Sequence, residues 1–294
     1  MKIKKIKMNL TKIIDKEYEK TEQAIAPSGK PSSFVEYISD SFNECLDYFP
    51  PSAKERSYDN TLYLYESFFR DSIIQRTEIG FSMLDITLFS NEVIQYKNHG
   101  EFKRIGLFLS LLISLHYEKN YPKEKYVIEN NEYEKETDFF GHKLCGPQVI
   151  VTGGCGNYLG NYMKSGQIQV AGSVGFAAGN QCNGELLIDG DAENNLGHGL
   201  GPTGKLILFG SAKDHVGLNM QGGTLIIKKN AGDLVGMFML DGTIHIEGDC
   251  GKKIGEEMYG GEIHLFGNYK SLGKPAQARR VKLFHKRIAL DPYH

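Results

Sequence analysis

The sequence predicts an α + β chain: an N-terminal α-helical module over residues 1–138, then a right-handed parallel β-helix of about eight coils over residues 139–294. Three observations predict it. First, the second half repeats one short phrase: PQVIVTG, GQIQVAG, GELLIDG, GKLILFG, GTLIIKK, GTIHIEG, GEIHLFG and a degenerate RRVKLFH. The copies start at Pro147, Gly166, Gly184, Gly204, Gly223, Gly242, Gly261 and Arg279, at spacings of 19, 18, 20, 19, 19, 19 and 18 residues. Second, each copy alternates apolar and polar side chains, the mark of a strand with one buried face. Third, further columns keep the same period. One is Gly160, Gly217, Gly236 and Gly255, with Ala178 and Gly197 close to register; another is Met163, Met220, Met239 and Met258. Small residues form the last: Cys155, Val174, Ala192, Ala212, Ala231 and Cys250.

A single strand per coil cannot bury its own face, so the coils must stack and share one core. Connections between parallel strands are right-handed as a rule. Left-handed solenoids built on hexapeptides also have coils of about this length. Here the strict apolar position does not recur every six residues, since Cys250 and Glu256 follow Ile244 at that step.

Taken in order, Met1 to Glu22 is charged and reads as a solvated terminus, and the Pro/Gly/Ser-rich stretch from Ala26 to Ser33 reads as a loop. Ser33 with Glu36 offers a capping box for a helix whose stripe is Phe34, Ile38, Phe42, Cys45, Leu46 and Phe49, stopped by Pro50 and Pro51. A second helix is expected over Asp59–Thr77 and a third over Glu101–Lys119, the latter too apolar for a surface helix. Phe81 to Tyr96 fits helix and strand equally. Tyr117 to Asp138 reads as a linker or an irregular first coil outside the core, and Phe139 to Leu144 as an apolar cap on the open solenoid end.

At the repeats the chain meets a family. The run G-x-I-x-[VI]-x-G, a glycine at about thirteen and then M-x-G-G-x-I, clearest from Leu234 to Gly267, resembles the GXGXG domain. That domain is the right-handed β-helix at the C-terminus of the large chain of glutamate synthase and in one of the component chains of formylmethanofuran dehydrogenase. The resemblance covers about residues 144–291 and implies a β-helix that joins or positions catalytic units, as a non-catalytic member of an oxidoreductase or amidotransferase-type complex. It carries over no catalytic residue.

A net charge of −2 argues against a nucleic-acid or membrane-surface protein. The basic start is followed by no apolar run, so no secretory signal is read, and Ile105 to Leu115 is too short to span a bilayer. A cytoplasmic protein is expected, its five cysteines being reduced structural thiols without zinc-type spacing.

No catalytic, cofactor-binding or metal-binding residue is assigned, and no cofactor is expected. The outward middle position of the strands, Ile150, Gln169, Leu187, Ile207, Ile226, His245, His264 and Lys282, should form one row with rungs about 4.8 Å apart. Ile150, Leu187, Ile207 and Ile226 make it apolar on a face with no reason to be so in isolation. Covering it would contribute on the order of 1.5–3 kcal/mol per side chain, so a contact row is predicted, covered by the helical module or by another protein chain. His245 and His264 adjoin in that row without an evident third metal ligand. Asp189, Asp191, Glu193, Glu247 and Asp249 lack the calcium-binding nonapeptide pattern. The loop His198, Gly199 and Gly201 lies in the one lengthened coil and is the candidate small binding loop. The leading expectation is a non-catalytic scaffold with a protein partner or a homo-oligomer. The alternative is an enzyme or ligand-binding protein with its site in the helical half or at the seam.

Overall fold

The computed structural model describes residues 82–92, 105–130, 137–276 and 280–290. The helices expected over Ser33–Phe49 and Asp59–Thr77, the charged segment Met1 to Glu22, the loop from Ala26 to Ser33 and Cys45 lie outside the described residues.

The ambiguous stretch before residue 96 contains helix α1, Met83–Glu92. Its start is a capping box: Ser82 N–H donates to Asp85 Oδ2 at 2.8 Å, and Asp85 N–H to Ser82 Oγ at 3.2 Å. Helix α2, Ile105–Asn120, buries Ile105, Leu107, Phe108, Leu109, Leu112 and Ile113. These side chains join the solenoid core itself, so α2 plugs its first coil.

Among the described residues, ten strands follow in one sheet, hydrogen-bonded in chain order. They are β1 (Tyr126–Ile128), β2 (Cys145–Val151), β3 (Ser165–Val170), β4 (Glu185–Ile188) and β5 (Lys205–Leu208), then β6 (Thr224–Ile227), β7 (Thr243–Ile246), β8 (Gly261–Leu265), β9 (Val281–His285) and β10 (Ile288–Leu290). Pairing is parallel from β1 to β9, and β10 turns back antiparallel on β9. This is a β-solenoid of about 19-residue coils, as the repeat predicts.

Three expectations need correction. Tyr126, Val127 and Ile128 are buried, so the charged stretch before Phe139 supplies the first rung of the sheet and is a core element. Phe140 and Leu144 are regular positions in the first coil, and the cap above them is α2. The last repeat begins two residues later than Arg279 suggested: Gly261 pairs with Val281, and His264 with Phe284.

Inside, Ile168, Leu186, Leu206, Leu225, Ile244 and Ile263 are fully buried, as are Met163, Met220, Met239 and Met258. Cys182 and Leu200 occupy the methionine position in the two remaining coils, where each position closes a turn on the glycine three residues earlier. That glycine column runs through Gly160, Gly179, Gly197, Gly217, Gly236 and Gly255, so Gly179 and not Ala178 is its member. Left-handed backbone recurs two residues to either side without glycine, at Tyr158 and Tyr162, at His215 and Asn219, and at Leu234 and Phe238. Their amides reach into the next coil: Tyr158 N–H to Phe176 O at 2.8 Å and Tyr162 N–H to Asn180 O at 2.9 Å.

Plug and sheet are joined by a buried hydrogen bond of 2.7 Å between His116 Nδ1 and the Tyr126 hydroxyl. Burial lowers the pKa of His116, against an opposing pull from Asp85, and burial also lowers those of His198 and His245. A folded-state pKa below the unfolded 6.5 means that the unfolded chain binds more protons as pH falls through that value. Stability is therefore expected to be full above about pH 6.5 and to fall on acidification below it. Denaturant midpoints at pH 7.5 and pH 5.5 check this, and equal midpoints would contradict it.

Candidate functional site

The outward faces of the strands carry three vertical rows. The middle row is Ile150, Gln169, Leu187, Ile207, Ile226, His245, His264 and Phe284, so the expected row is assembled, with Phe284 in place of Lys282. Lys282 stands beside Glu262 in the neighbouring row. Ile150 and Leu187 are buried although they face away from the solenoid interior. Ile150 packs with Ala171 in a small cluster separate from the main core. From Ile207 to Phe284 the row is half-buried.

At the C-terminal end the row becomes a ring stack. His245 and His264 lie 4.6 Å apart at an interplanar angle of 17°, and His264 and Phe284 4.6 Å apart at 10°. Phe266 adds a ring 6.4 Å from His245. Nitrogen lone pairs lie in the ring plane, so two nearly parallel imidazoles do not converge on one ion. His264 Nε2–H instead donates to Glu262 Oε2 at 3.1 Å. Burial pushes the His245 pKa down, helped by the positive charges of His264 and Lys228. Among the described residues, no group of three or more His, Cys, Asp or Glu side chains is placed to hold a metal ion.

The flanking charges neutralise one another across coils. Lys205 Nζ is 2.5 Å from Glu185 Oε1, Lys228 Nζ 2.6 Å from Glu247 Oε1, and Lys282 Nζ 2.7 Å from Glu262 Oε1. Hydrogen bonds from Lys282 and His264 hold the Glu262 carboxyl below its usual range. What is left between the paired charges is apolar and aromatic: Ile207, Ile226, the ring stack and Phe266, with Phe209 buried beside them. Phe209, Phe266 and Phe284 were missed from sequence. For Phe209 and Phe266 the signal was there in the phrases KLILFG and GEIHLFG, two positions beyond Ile207 and His264, whereas Phe284 was hidden by the misplaced last repeat.

The acidic residues of the turns serve the solenoid. Asp191 Oδ1 accepts the N–H of Ser211 at 2.7 Å, and Asp249 Oδ1 that of Asn268 at 2.7 Å. A parallel column does the same: Asn194 caps Asp214, Asp214 caps Asp233, and Asp233 caps Lys252, at 3.0, 2.8 and 2.8 Å. Each side chain closes the equivalent turn of the next coil, a backbone-satisfying use of short polar residues.

In the loop at His198, Gly199 and Gly201, the amides are engaged by the fold. His198 N–H donates to Asn195 O at 3.1 Å, Gly199 N–H to Leu218 O at 2.8 Å and Gly201 N–H to Cys182 O at 2.9 Å. The His198 ring nitrogen Nε2 is 3.3 Å from Asn219 Nδ2. The loop is thus built into the coil stack, and those three amides are not turned toward a ligand. The thiols of Cys155, Cys182 and Cys250 are buried, and burial pushes each pKa up to about 12. They are protonated and unreactive at neutral pH.

No family model, curated protein or solved structure matches the chain. Among the described residues, no helix is long and apolar enough to cross a membrane.

Proposed function

We propose that this chain is a non-catalytic scaffold that positions a protein partner on the outer face of its β-helix, in a cytoplasmic setting. The helix is read as right-handed, and α1 and α2 as the described part of its N-terminal α-helical module. One observation carries the reading. The outer row is an apolar and aromatic strip, interrupted by Gln169, whose first part is buried in the isolated chain and whose second part, Ile207 to Phe284, is left half-buried. The flanking ion pairs Lys205–Glu185, Lys228–Glu247 and Lys282–Glu262 are satisfied within the chain, so the strip offers packing and little charge. Such a face suits a partner that brings its own apolar ridge. The GXGXG-like spacing supports the same reading.

Ile207→Asp and Ile226→Asp place a carboxylate in the strip without touching the interior, where Leu206, Leu208, Leu225 and Ile227 remain. Both variants are expected to keep the β-rich fold and to lose copurifying partner by tenfold or more, measured by quantitative affinity purification from the source cells. Equal partner recovery with both variants would overturn the proposal.

A further inference from the structure

Two rows flank the apolar strip on the sheet face. From β4 to β9 the first reads Glu185, Lys205, Thr224, Thr243, Glu262 and Lys282, in register by strand pairing. The second reads Asp189, Phe209, Lys228, Glu247, Phe266 and Lys286. Its register is fixed by equivalent hydrogen bonds to the preceding coil, such as Lys228 N–H to Leu208 O and Phe266 N–H to Ile246 O, both at 2.9 Å.

This face is complementary to itself when its coil order is reversed about the line between β6 and β7. In the first row Thr224 then meets Thr243, Lys205 meets Glu262 and Glu185 meets Lys282. In the second, Lys228 meets Glu247, Phe209 meets Phe266 and Asp189 meets Lys286. Between them Ile226 meets His245 and Ile207 meets His264. Each charge in these rows faces its opposite, and no like charges meet. Other arrangements fail this test. Reversal about β6 sets Glu185 on Glu262, and reversal about β7 sets Lys205 on Lys282. An axis along the solenoid lays one flanking row on the other, with Glu185 on Asp189 and Lys282 on Lys286.

We propose that two copies of this chain pack sheet face on sheet face, about a two-fold axis parallel to the strands between β6 and β7. The proposal rests on reading the strip as a docking face, and names its occupant. Stacked sheets lie about 10 Å apart, so the facing rows interdigitate. The ion pair Lys205–Glu185 of one copy stands opposite the pair Glu262–Lys282 of the other, and Lys228–Glu247 opposite its own reversed counterpart. Pairs already satisfied within the chain thereby become networks of alternating sign. Leu187 and Phe209 are buried in the single chain, so the apolar contact rests on Ile207, Ile226, His245, His264 and Phe266. A foreign partner would require no such symmetry in the face, which favours a second copy. The patch is used up by its own image, so the assembly closes at two. Six rungs about 4.8 Å apart and five residues of about 3.3 Å give roughly 400–500 Å² per copy. Stable complexes bury about 800 Å² per partner, so a weak dimer is expected, with a dissociation constant on the order of 1–100 μM.

Sedimentation of the full chain over roughly that concentration range tests it. The expected result is a rise from 32.9 kDa to twice that mass and no further. Ile226→Asp, beside the axis, should leave a monomer with an unchanged circular dichroism spectrum. Glu185→Lys together with Lys205→Glu keeps that ion pair within the chain but sets like charges across the axis. It should weaken the dimer about tenfold, and adding Glu262→Lys with Lys282→Glu should restore it. Ion pairs that serve the single chain alone predict no change in either variant. If the fourfold variant does not fold, the first reversal and Ile226→Asp decide. A monomer throughout overturns the pairing and leaves the docking reading to stand or fall on copurification with Ile207→Asp and Ile226→Asp. Species larger than two copies, a dimer unaffected by Ile226→Asp or by the first reversal, or a folded fourfold variant that stays monomeric would each overturn the proposal as well.

Discussion

Gly223→Ala is expected to lose about 4 kcal/mol of stability, as left-handed strain of about 1–2 kcal/mol adds to overpacking of about 1–3 kcal/mol. Gly223 opens β6 at φ 73, and a Cβ there would lie 2.3 Å from Gly204 O and 2.6 Å from Gly201 O. Both contacts are with backbone of the preceding coil, which cannot swing aside as a side chain would. Moving that backbone would disturb the bond from Thr224 N–H to Gly204 O at 2.9 Å and the coil pairing it belongs to. Urea denaturation followed by circular dichroism measures the loss. A cost under about 1 kcal/mol would show that the corner can relax.

Phe108→Ala should be of similar size, about 3–5 kcal/mol, the usual range for a fully buried phenylalanine. Phe108 has no accessible surface, and its ring lies 5.3 Å from that of Phe89 at 56°. It joins α1 and α2 to the first coil. In a stack where each coil leans on its neighbours, a loosened end exposes the next rung, so the loss should shift the whole unfolding transition. Phe108→Leu keeps most of the volume and should cost far less. Equal midpoints for Phe108→Ala and the parent would mean that α2 does not seal the core.

These two positions also show how much the sequence reveals. Gly223 belongs to the repeat, and the repeat was legible because every coil faces the same packing problem and solves it with the same residue types. The contact row followed from the same period, up to His264. Its last rung was misplaced because alignment relied on glycine at the strand start, and the final repeat has Val281 there. Phe108 lay in a recognisably buried helix, but nothing local says that a helix will stopper a solenoid. Tyr126–Ile128 was hidden because three strand residues between charged neighbours leave no period to read. The turn roles of Asp191 and Asp249 were hidden, since their partners are main-chain amides about 19 residues away. The left-handed backbone at Tyr158, Tyr162 and Leu234 was hidden for another reason. Their strain of about 1–2 kcal/mol each opposes local preference, and the bonds between coils that offset it are visible only once the coils are stacked.

Two adjoining corners have unequal lengths: Cys182 to Glu185 runs one residue short of the common pattern, and Leu200 to Lys205 one residue long. Lys205 and Thr224 nevertheless pair in register with their neighbours. A length error at a corner is therefore absorbed where it arises, and the strands keep their pitch. Nine parallel rungs at about 4.8 Å set the outermost ones about 38 Å apart. Insertion or deletion of one whole coil would change that reach by a single rung and leave the remainder untouched. The molecule is in this sense a ruler graduated in coils, on which evolution can move a mark without recalibrating the scale.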